Sequence, residues 1–402
     1  MRNLKWQHLL YGLFILSITA YILFLHPQLQ DTQKQSDSAS QQHNNKAASD
    51  SRQQKQPATP PPPTELHLMA VGDIMMHEPQ ITAGKTATGY DFASFFEHIA
   101  PTLKQADFAF GNLETTLAGE AARYAGYPMF NAPDELADAL KAAHFDVITT
   151  ANNHSLDRWE KGLYRTLEQL DRVGLLHTGT FASKEARDQP LIISKDDIKL
   201  GVLAYTYGTN GMPIPEGRPY VINMLDESLM AKDIQTAKAA GVDMVVVAVH
   251  FGPEYWRKPS AEQKRTVDFL FNAGADIILG SHPHVIQPYE VRDITNLDGS
   301  TRKGVVIYSL GNFISNQRDE PRDIGGILSV KINKQNGTAT IGDVSFIATY
   351  IHRYQTANGR VYNVLPIAEV IEKRNYPPFR PADYSKLEAR YQEMMEHVIS
   401  EP

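Results

Sequence analysis

The sequence predicts an α/β protein with mixed β-sheets, and three observations carry that prediction. From Glu65 onward, helix candidates alternate with short apolar runs of strand length. Several of those runs end in Gly, Asp, Asn, Glu or His, the pattern of an open α/β sheet that binds its ligand at the carboxyl ends of its strands. Asn336-Gly337 then separates two alternating stretches, Gly326–Asn333 and Thr338–Tyr350. That dipeptide marks an antiparallel hairpin, so the sheets are not purely parallel.

Taken in order, the first element is an apolar one. Leu9–Leu25 carries no charge, close to the lower limit of roughly 17–25 residues for a membrane-spanning helix. Arg2 and Lys5 precede it, which places residues 1–8 in the cytoplasm and the bulk of the chain outside. A cleaved signal peptide is the alternative, but His26-Pro27-Gln28 offers no small-residue cleavage pair. Residues 26–64 are rich in Gln, Ser and Pro and end in Pro60–Pro63. Such a segment cannot bury enough apolar surface to offset its ordering entropy, and reads as a disordered stalk spanning roughly 35 Å.

A globular domain is expected over residues 65–370. Its helix candidates are Asp91–Gln105, Asp134–Ala143, Arg158–Val173, Asp226–Ala240 and Ser260–Ala273. Pro133 occupies a first-turn position, and Gly174, Gly241 and Gly274 occupy C-terminal caps. Between them lie strand-like runs, each with its polar ending. Leu66–Val71 runs into Gly72-Asp73, and Phe108–Phe110 into Gly111-Asn112-Leu113-Glu114. Val147–Thr150 runs into Ala151-Asn152-Asn153-His154, Met244–Val249 into His250-Phe251-Gly252, and Ile277–Leu279 into Gly280-Ser281-His282-Pro283-His284. Lys303–Tyr308 is a further strand. Residues 371–402 form a C-terminal extension with a peripheral amphipathic helix over Asp383–Ser400.

Composition narrows the function. The 402-residue chain is 42% apolar, carries a net charge of −7 and has a pI near 6.1. That leaves room for a sizeable core and argues against a nucleic-acid partner. The absence of cysteine removes disulfides, thiolate metal sites and a Cys nucleophile. Gly84-Lys85-Thr86 resembles the end of a P-loop, but Pro79 stands where its first glycine belongs. No Gly-x-Ser-x-Gly elbow is present.

The strand ends supply metal-type side chains. Asp73 and Glu114 offer carboxylate oxygens, Asn153 an amide oxygen, and His250 an imidazole. His282 and His284 flank Pro283, so a turn lets both face one cavity and address two ions. This donor set suits Mn, Fe or Zn rather than Ca. Two divalent ions, with Glu114 bridging them, polarise a phosphoryl group and activate a water. His154 is then placed to donate a proton to the leaving oxygen, with Asp157 orienting it. Taken singly, each residue also has a structural explanation: Asp73 as a turn or cap, Glu114 as a solvated loop acid, Asn153 as a turn cap, His250 as a core histidine. Glu254 and Asp157 fit structural roles as well as catalytic ones. It is the convergence of five strand ends that points to one site.

The quoted residues also resemble the CapA family of poly-γ-glutamate capsule biosynthesis proteins, within the calcineurin-like metallophosphatase superfamily. The matching stretches are Val71–Met75, Gly111–Glu114, Phe130–Pro133, Ala151–Asp157, Tyr207–Asn210, His250–Tyr255, Gly280–His284 and Tyr308–Phe313. The resemblance implies a four-layer αββα sandwich of two mixed sheets. It also implies metal ligation by Asp73, Glu114, Asn153, His250, His282 and His284, with His154 as the acid. Two departures stand out. Met75 occupies a position where the superfamily carries His, with His77 as a substitute two residues on, and Glu114 or Asn112 stands where it carries Asp. A role in capsule-polymer synthesis or export at the cell membrane follows from the resemblance, with membrane synthase subunits and an anionic polymer as partners. A metal-dependent hydrolase acting on a phosphoester or another surface substrate is the alternative. A (β/α)₈ amidohydrolase barrel fits poorly, because its His-x-His pair follows the first strand.

Overall fold

The computed structural model describes residues 63–296, 298–318 and 321–402. The expected cytoplasmic tail, membrane span and nearly all of the stalk fall in residues 1–62 and lie outside the described residues. Among the described residues, no helix is long and apolar enough to cross a membrane.

The strands are β1 (Thr64–Ile74), β2 (Phe108–Leu113), β3 (Val147–Thr149), β4 (Leu176–Thr178), β5 (Leu191–Lys195), β6 (Ile198–Thr206), β7 (Met244–His250), β8 (Ile277–Ser281), β9 (Ile286–Thr295), β10 (Thr301–Leu310), β11 (Asn312–Ile314), β12 (Ile324–Gln335), β13 (Thr338–Thr356) and β14 (Gly359–Pro366). Thr64 already belongs to β1, one residue before the expected start of the domain. One sheet runs β14-β13-β12-β1-β2-β3-β4, with β11 paired to β1; the other runs β5-β6-β7-β8-β10-β9. In the first, β1 to β4 are parallel and β12 to β14 antiparallel. In the second, β6, β7, β8 and β10 are parallel, with β5 and β9 antiparallel at the edges. Both sheets are therefore mixed. Asn336 and Gly337, at φ of 53° and 81°, make the β12–β13 turn in the left-handed conformation that this dipeptide favours.

The period-2 alternation of the strands builds the layers. Along β1, Leu66, Leu68 and Ala70 face a core that also holds Val202, Ala204, Val246, Ala248, Leu279 and Ile307 of the second sheet. The intervening Met69 and Val71 face outward onto Phe95, Phe96, Leu103, Leu136 and Leu140. On the second sheet, Leu203, Tyr205, Val245 and Val247 face outward onto Met230, Ile234, Val267 and Leu270. The result is helix, sheet, sheet, helix. β7 is buried along its whole length, as expected of a continuous apolar run covered on both faces.

Helix boundaries follow their caps. Trp159–Val173 and Ala261–Ala273 stop at Gly174 and Gly274, at φ of 70° and 110°, a conformation that costs glycine nothing. Ser260 and Gln263 form a reciprocal cap at the start of the second. The single helix expected over Asp91–Gln105 is instead two short pieces, Ala93–Phe96 and Ala100–Leu103. Pro101 is the reason: it lacks an N–H and clashes with a carbonyl four residues back, so it breaks one helix and sits in the first turn of the next.

The C-terminal extension is more integral than a peripheral helix. Pro381–Val398 contributes Leu387, Met394 and Val398 to the inter-sheet core. Tyr376, Phe379 and Tyr384 pack around His352 and Tyr350 of β13. His352 Nδ1 lies 3.1 Å from the Tyr376 hydroxyl, and burial holds this imidazole down at about 4 from its ordinary 6.5. Leu387→Ala is expected to cost about 2–5 kcal/mol, measured by urea unfolding of the whole chain. In the pH range from 6.5 down to about 4, the unfolded chain takes up a proton at His352 that the folded chain refuses. Stability therefore falls as pH drops through that window, and His352→Phe is expected to make the fall shallower.

Candidate metal centre

Asp73 ends β1, Glu114 follows β2, Asn153 and His154 follow β3, His250 ends β7, and His282 and His284 follow β8. All of these strands are parallel members of their sheets, so their carboxyl ends lie together. The approach is close at one point. A Cβ at Gly72 would sit 1.9 Å from the Gly311 carbonyl oxygen, which accepts the N–H of Asp73 at 2.9 Å. Only glycine lets β1 come this near the β10–β11 connection, and that contact fixes where Asp73 points.

The six expected ligand residues converge. His284 Nδ1 is 2.9 Å from one Asp73 oxygen, which also accepts the His282 N–H at 3.3 Å. Asn112 Nδ2 donates to the other Asp73 oxygen at 2.8 Å. His250 Nε2 lies 2.9 Å from Asn153 Oδ1 and 3.7 Å from Glu114 Oε1, and His284 Nε2 lies 3.7 Å from the same Glu114 oxygen. Ligand atoms of Glu114, His282 and His284 lie within 4.8 Å of one another, and so do those of Asp73, Glu114 and His250. Glu114 is common to both clusters, the place a bridging carboxylate would take. His282 and His284 have φ of 96° and 60°, uncommon for non-glycine residues. This turned backbone brings both imidazoles into one cavity at a conformational cost of about 1–3 kcal/mol for each.

The electrostatics call for a cation. Glu114 is fully buried, and neither of its oxygens has a hydrogen-bond partner among the described residues. Burial, followed by the neighbouring Asp73 charge, pushes its carboxyl well above the usual range. The imidazoles do not compensate. Burial drives His250 well below its ordinary value and takes His282 down to about 3, so both are neutral, ligand-ready rings at neutral pH. His282 Nδ1 is buried without a partner as well. An unpaired buried carboxylate beside neutral imidazoles is costly without metal, and the donor set fits a divalent ion of the Mn, Fe or Zn type.

His154 and Asp157 stand beside this cluster. The Asp157 carboxylate accepts from His154 Nδ1 at 2.7 Å and from the Phe130 N–H at 2.6 Å. The Phe130 ring meets His154 edge-on at 4.7 Å. That arrangement fixes the imidazole through Nδ1 and leaves Nε2, 3.4 Å from Asn210 Nδ2, on its far side. His77 does not join the ligand clusters found among the described residues. It opens the helix Glu78–Ala83, and its Nδ1 accepts from the Asn316 N–H at 3.2 Å. Met75 is buried in the core.

Three supporting residues lay within the quoted motifs but were given no role from the sequence. Asn112 pairs with Asp73 in the β1–β2 ladder and also lies 3.2 Å from His250 Nδ1. Ser281 Oγ is 3.0 Å from that same nitrogen. Asn210 contacts both Asn153 and His154. Only their positions within the strand-end motifs could have flagged them. Beside the centre, Tyr207 packs against the His282 ring at 4.6 Å and forms one wall of a cleft of about 500 Å³, lined also by Phe251, Gly252, Pro253 and Trp256.

Residues 67–317 match the family described as bacterial capsule synthesis protein PGA_cap. The chain belongs to this family. It is 31% identical over 289 residues to the capsule biosynthesis protein CapA of Bacillus anthracis, covering 69% of this chain and 66% of that protein. It is 31% identical over 257 residues to the PGA biosynthesis protein CapA of Bacillus subtilis, covering 61% and 62%. The chain thus spans just under two thirds of the length of these relatives. Among solved structures it is similar to the calcineurin-like phosphoesterase YfkN from Bacillus subtilis, at 16% identity and a TM-score of 0.47, covering 84% of this chain and 100% of that one. It is also similar to the NAD nucleotidase NadN of Haemophilus influenzae, at 14% identity and a TM-score of 0.46, covering 85% and 69%.

Glu114→Gln separates metal binding from folding. The metal-free variant is expected to unfold at or above the wild-type temperature, because a buried ionisable group without a partner has been removed. Its thermal upshift on adding Mn²⁺ is expected to vanish. For the wild type, that upshift corresponds to about 2.7 kcal/mol at a hundredfold excess over Kd, read by differential scanning calorimetry.

Proposed function

We propose that this capsule-synthesis family member is tethered to the cell membrane by Leu9–Leu25 and works outside it, with residues 26–64 as a stalk. In this reading it acts hydrolytically, through a centre of two divalent ions, on a phosphoester or another linkage of an anionic surface polymer. Poly-γ-glutamate is the polymer that the sequence resemblance implies, and membrane subunits of its synthase are the implied partners. The observation that carries the catalytic part is the buried Glu114 carboxylate, without a partner and shared between two clusters of ligand atoms.

Asp73, Glu114, Asn153, His250, His282 and His284 would hold the ions. Bound there, the ions supply Lewis-acid activation and neutralise charge on the reacting group. The protein's own residues do the rest. Asp157 holds the proton on His154 Nδ1 and orients the ring, leaving Nε2 to exchange a proton with the leaving oxygen. Phe130 keeps that ring in place. Tyr207 closes one side of the centre, and the cleft beyond it has room for the remainder of a substrate.

One observation favours a second reading, a role in polymer assembly or export with little catalysis. Met75 puts a thioether in the core where the resemblance leads one to expect an imidazole, so one ion position lacks a donor.

The whole chain, purified in detergent with Mn²⁺, is expected to hydrolyse bis(p-nitrophenyl) phosphate. His154→Ala is expected to lower kcat by about 10²–10⁴-fold while Mn²⁺ still binds. No turnover with Mn²⁺, Fe²⁺ or Zn²⁺, together with loss of capsule on gene deletion, would sink the hydrolytic reading in favour of assembly.

A further inference from the structure

We propose that Asn210 is a positioning residue that ties the candidate metal ligand Asn153 to the proton-carrying His154; this rests on the metal-centre reading above. Asn210 lies in the connection after β6, so it belongs to the second sheet, whereas Asn153 and His154 follow β3 of the first. Its side chain is exposed, and its backbone is left-handed at φ 51°, followed by Gly211 at 77°. Asparagine tolerates that conformation better than most residues.

A primary amide has a donor end and an acceptor end, and Asn210 uses both. Its Oδ1 accepts from Asn153 Nδ2 at 3.2 Å. With the Asn153 amino group committed there, the Asn153 oxygen turns toward His250 Nε2, 2.9 Å away, where the candidate ligands meet. Tyr207 also hydrogen-bonds the Asn153 side chain, so the Asn210 bond is one of two that hold the amide with its oxygen toward the ligands; a flipped amide would offer the cation an NH₂. The other end, Asn210 Nδ2, lies 3.4 Å from His154 Nε2. With Nδ1–H donating to Asp157, Nε2 accepts from Asn210 whenever it carries no proton. A single amide thus helps set the facing of a ligand and steadies the nitrogen that exchanges a proton.

Two variants of the whole chain separate these roles. Asn210→Gly removes the side chain while keeping the left-handed backbone free of strain. It is expected to weaken Mn²⁺ binding, measured by titration calorimetry, by about 10–100-fold, as loss of an outer-shell partner does. Asn210→Asp keeps an acceptor for Asn153 but turns an acceptor, not a donor, toward His154. It is expected to retain Mn²⁺ affinity and to lose kcat toward bis(p-nitrophenyl) phosphate with KM little changed. Equal Mn²⁺ affinity in Asn210→Gly and wild type overturns the positioning role and leaves the metal centre standing. Equal loss of affinity in both variants overturns it too, since the Asp side chain preserves the bond at issue. A wild-type chain that binds no Mn²⁺ overturns the metal reading, and this inference with it.

Discussion

Asp73 and Glu114 are two acids enclosed in protein beside imidazoles that burial keeps neutral. Neither side chain reaches solvent. The surrounding architecture is arranged around that constraint. Asn112 donates to Asp73, and the backbone N–H of His282 and the ring of His284 approach it from the other sheet. These bonds place the carboxylates without satisfying Glu114. The fold therefore keeps a partnerless buried acid that a proton or an external cation would balance, and gives up stability to do so.

Two half-parallel sheets make such a site geometrically simple. Parallel strands deliver their carboxyl ends to one edge, so β1, β2 and β3 present Asp73, Glu114, Asn153 and His154 together. β7 and β8 present His250, His282 and His284 from across the sandwich. The antiparallel strands lie to the outside and extend the sheets without adding ligands. Alternation along each parallel strand then seals the core beneath. Residues such as Ala70, Ala248 and Leu279 fill the inter-sheet layer, and a site floored by packed side chains keeps its geometry.

Much of this was legible in the sequence, for identifiable reasons. Val and Ile runs ending in Asp, Asn or His gave both the strands and the edge where the site lies. The caps at Gly174, Ser260 and Gly274 fixed helix ends to within a residue. What stayed hidden was decided by tertiary contact. The break at Pro101 depends on one residue inside an otherwise helical pattern. The burial of Leu387 and Met394 depends on an inter-sheet edge that no local pattern reveals. Asn112, Asn210 and Ser281 look like ordinary turn or strand residues until the partner sheet is in place. Their work is to aim other side chains, and that role leaves no signature in spacing.

β1 joins the two ends of the molecule. It begins at Thr64, anchored to Asp197 and Lys334 at the floor of the sandwich, and reaches Asp73 nine residues later, about 30 Å away at the usual strand rise. The chain upstream of Thr64 therefore joins β1 at the end remote from Asp73 and the candidate metal centre. A resin or a fusion partner joined upstream of Thr64 is thus linked to the sandwich at the end of β1 farthest from Asp73.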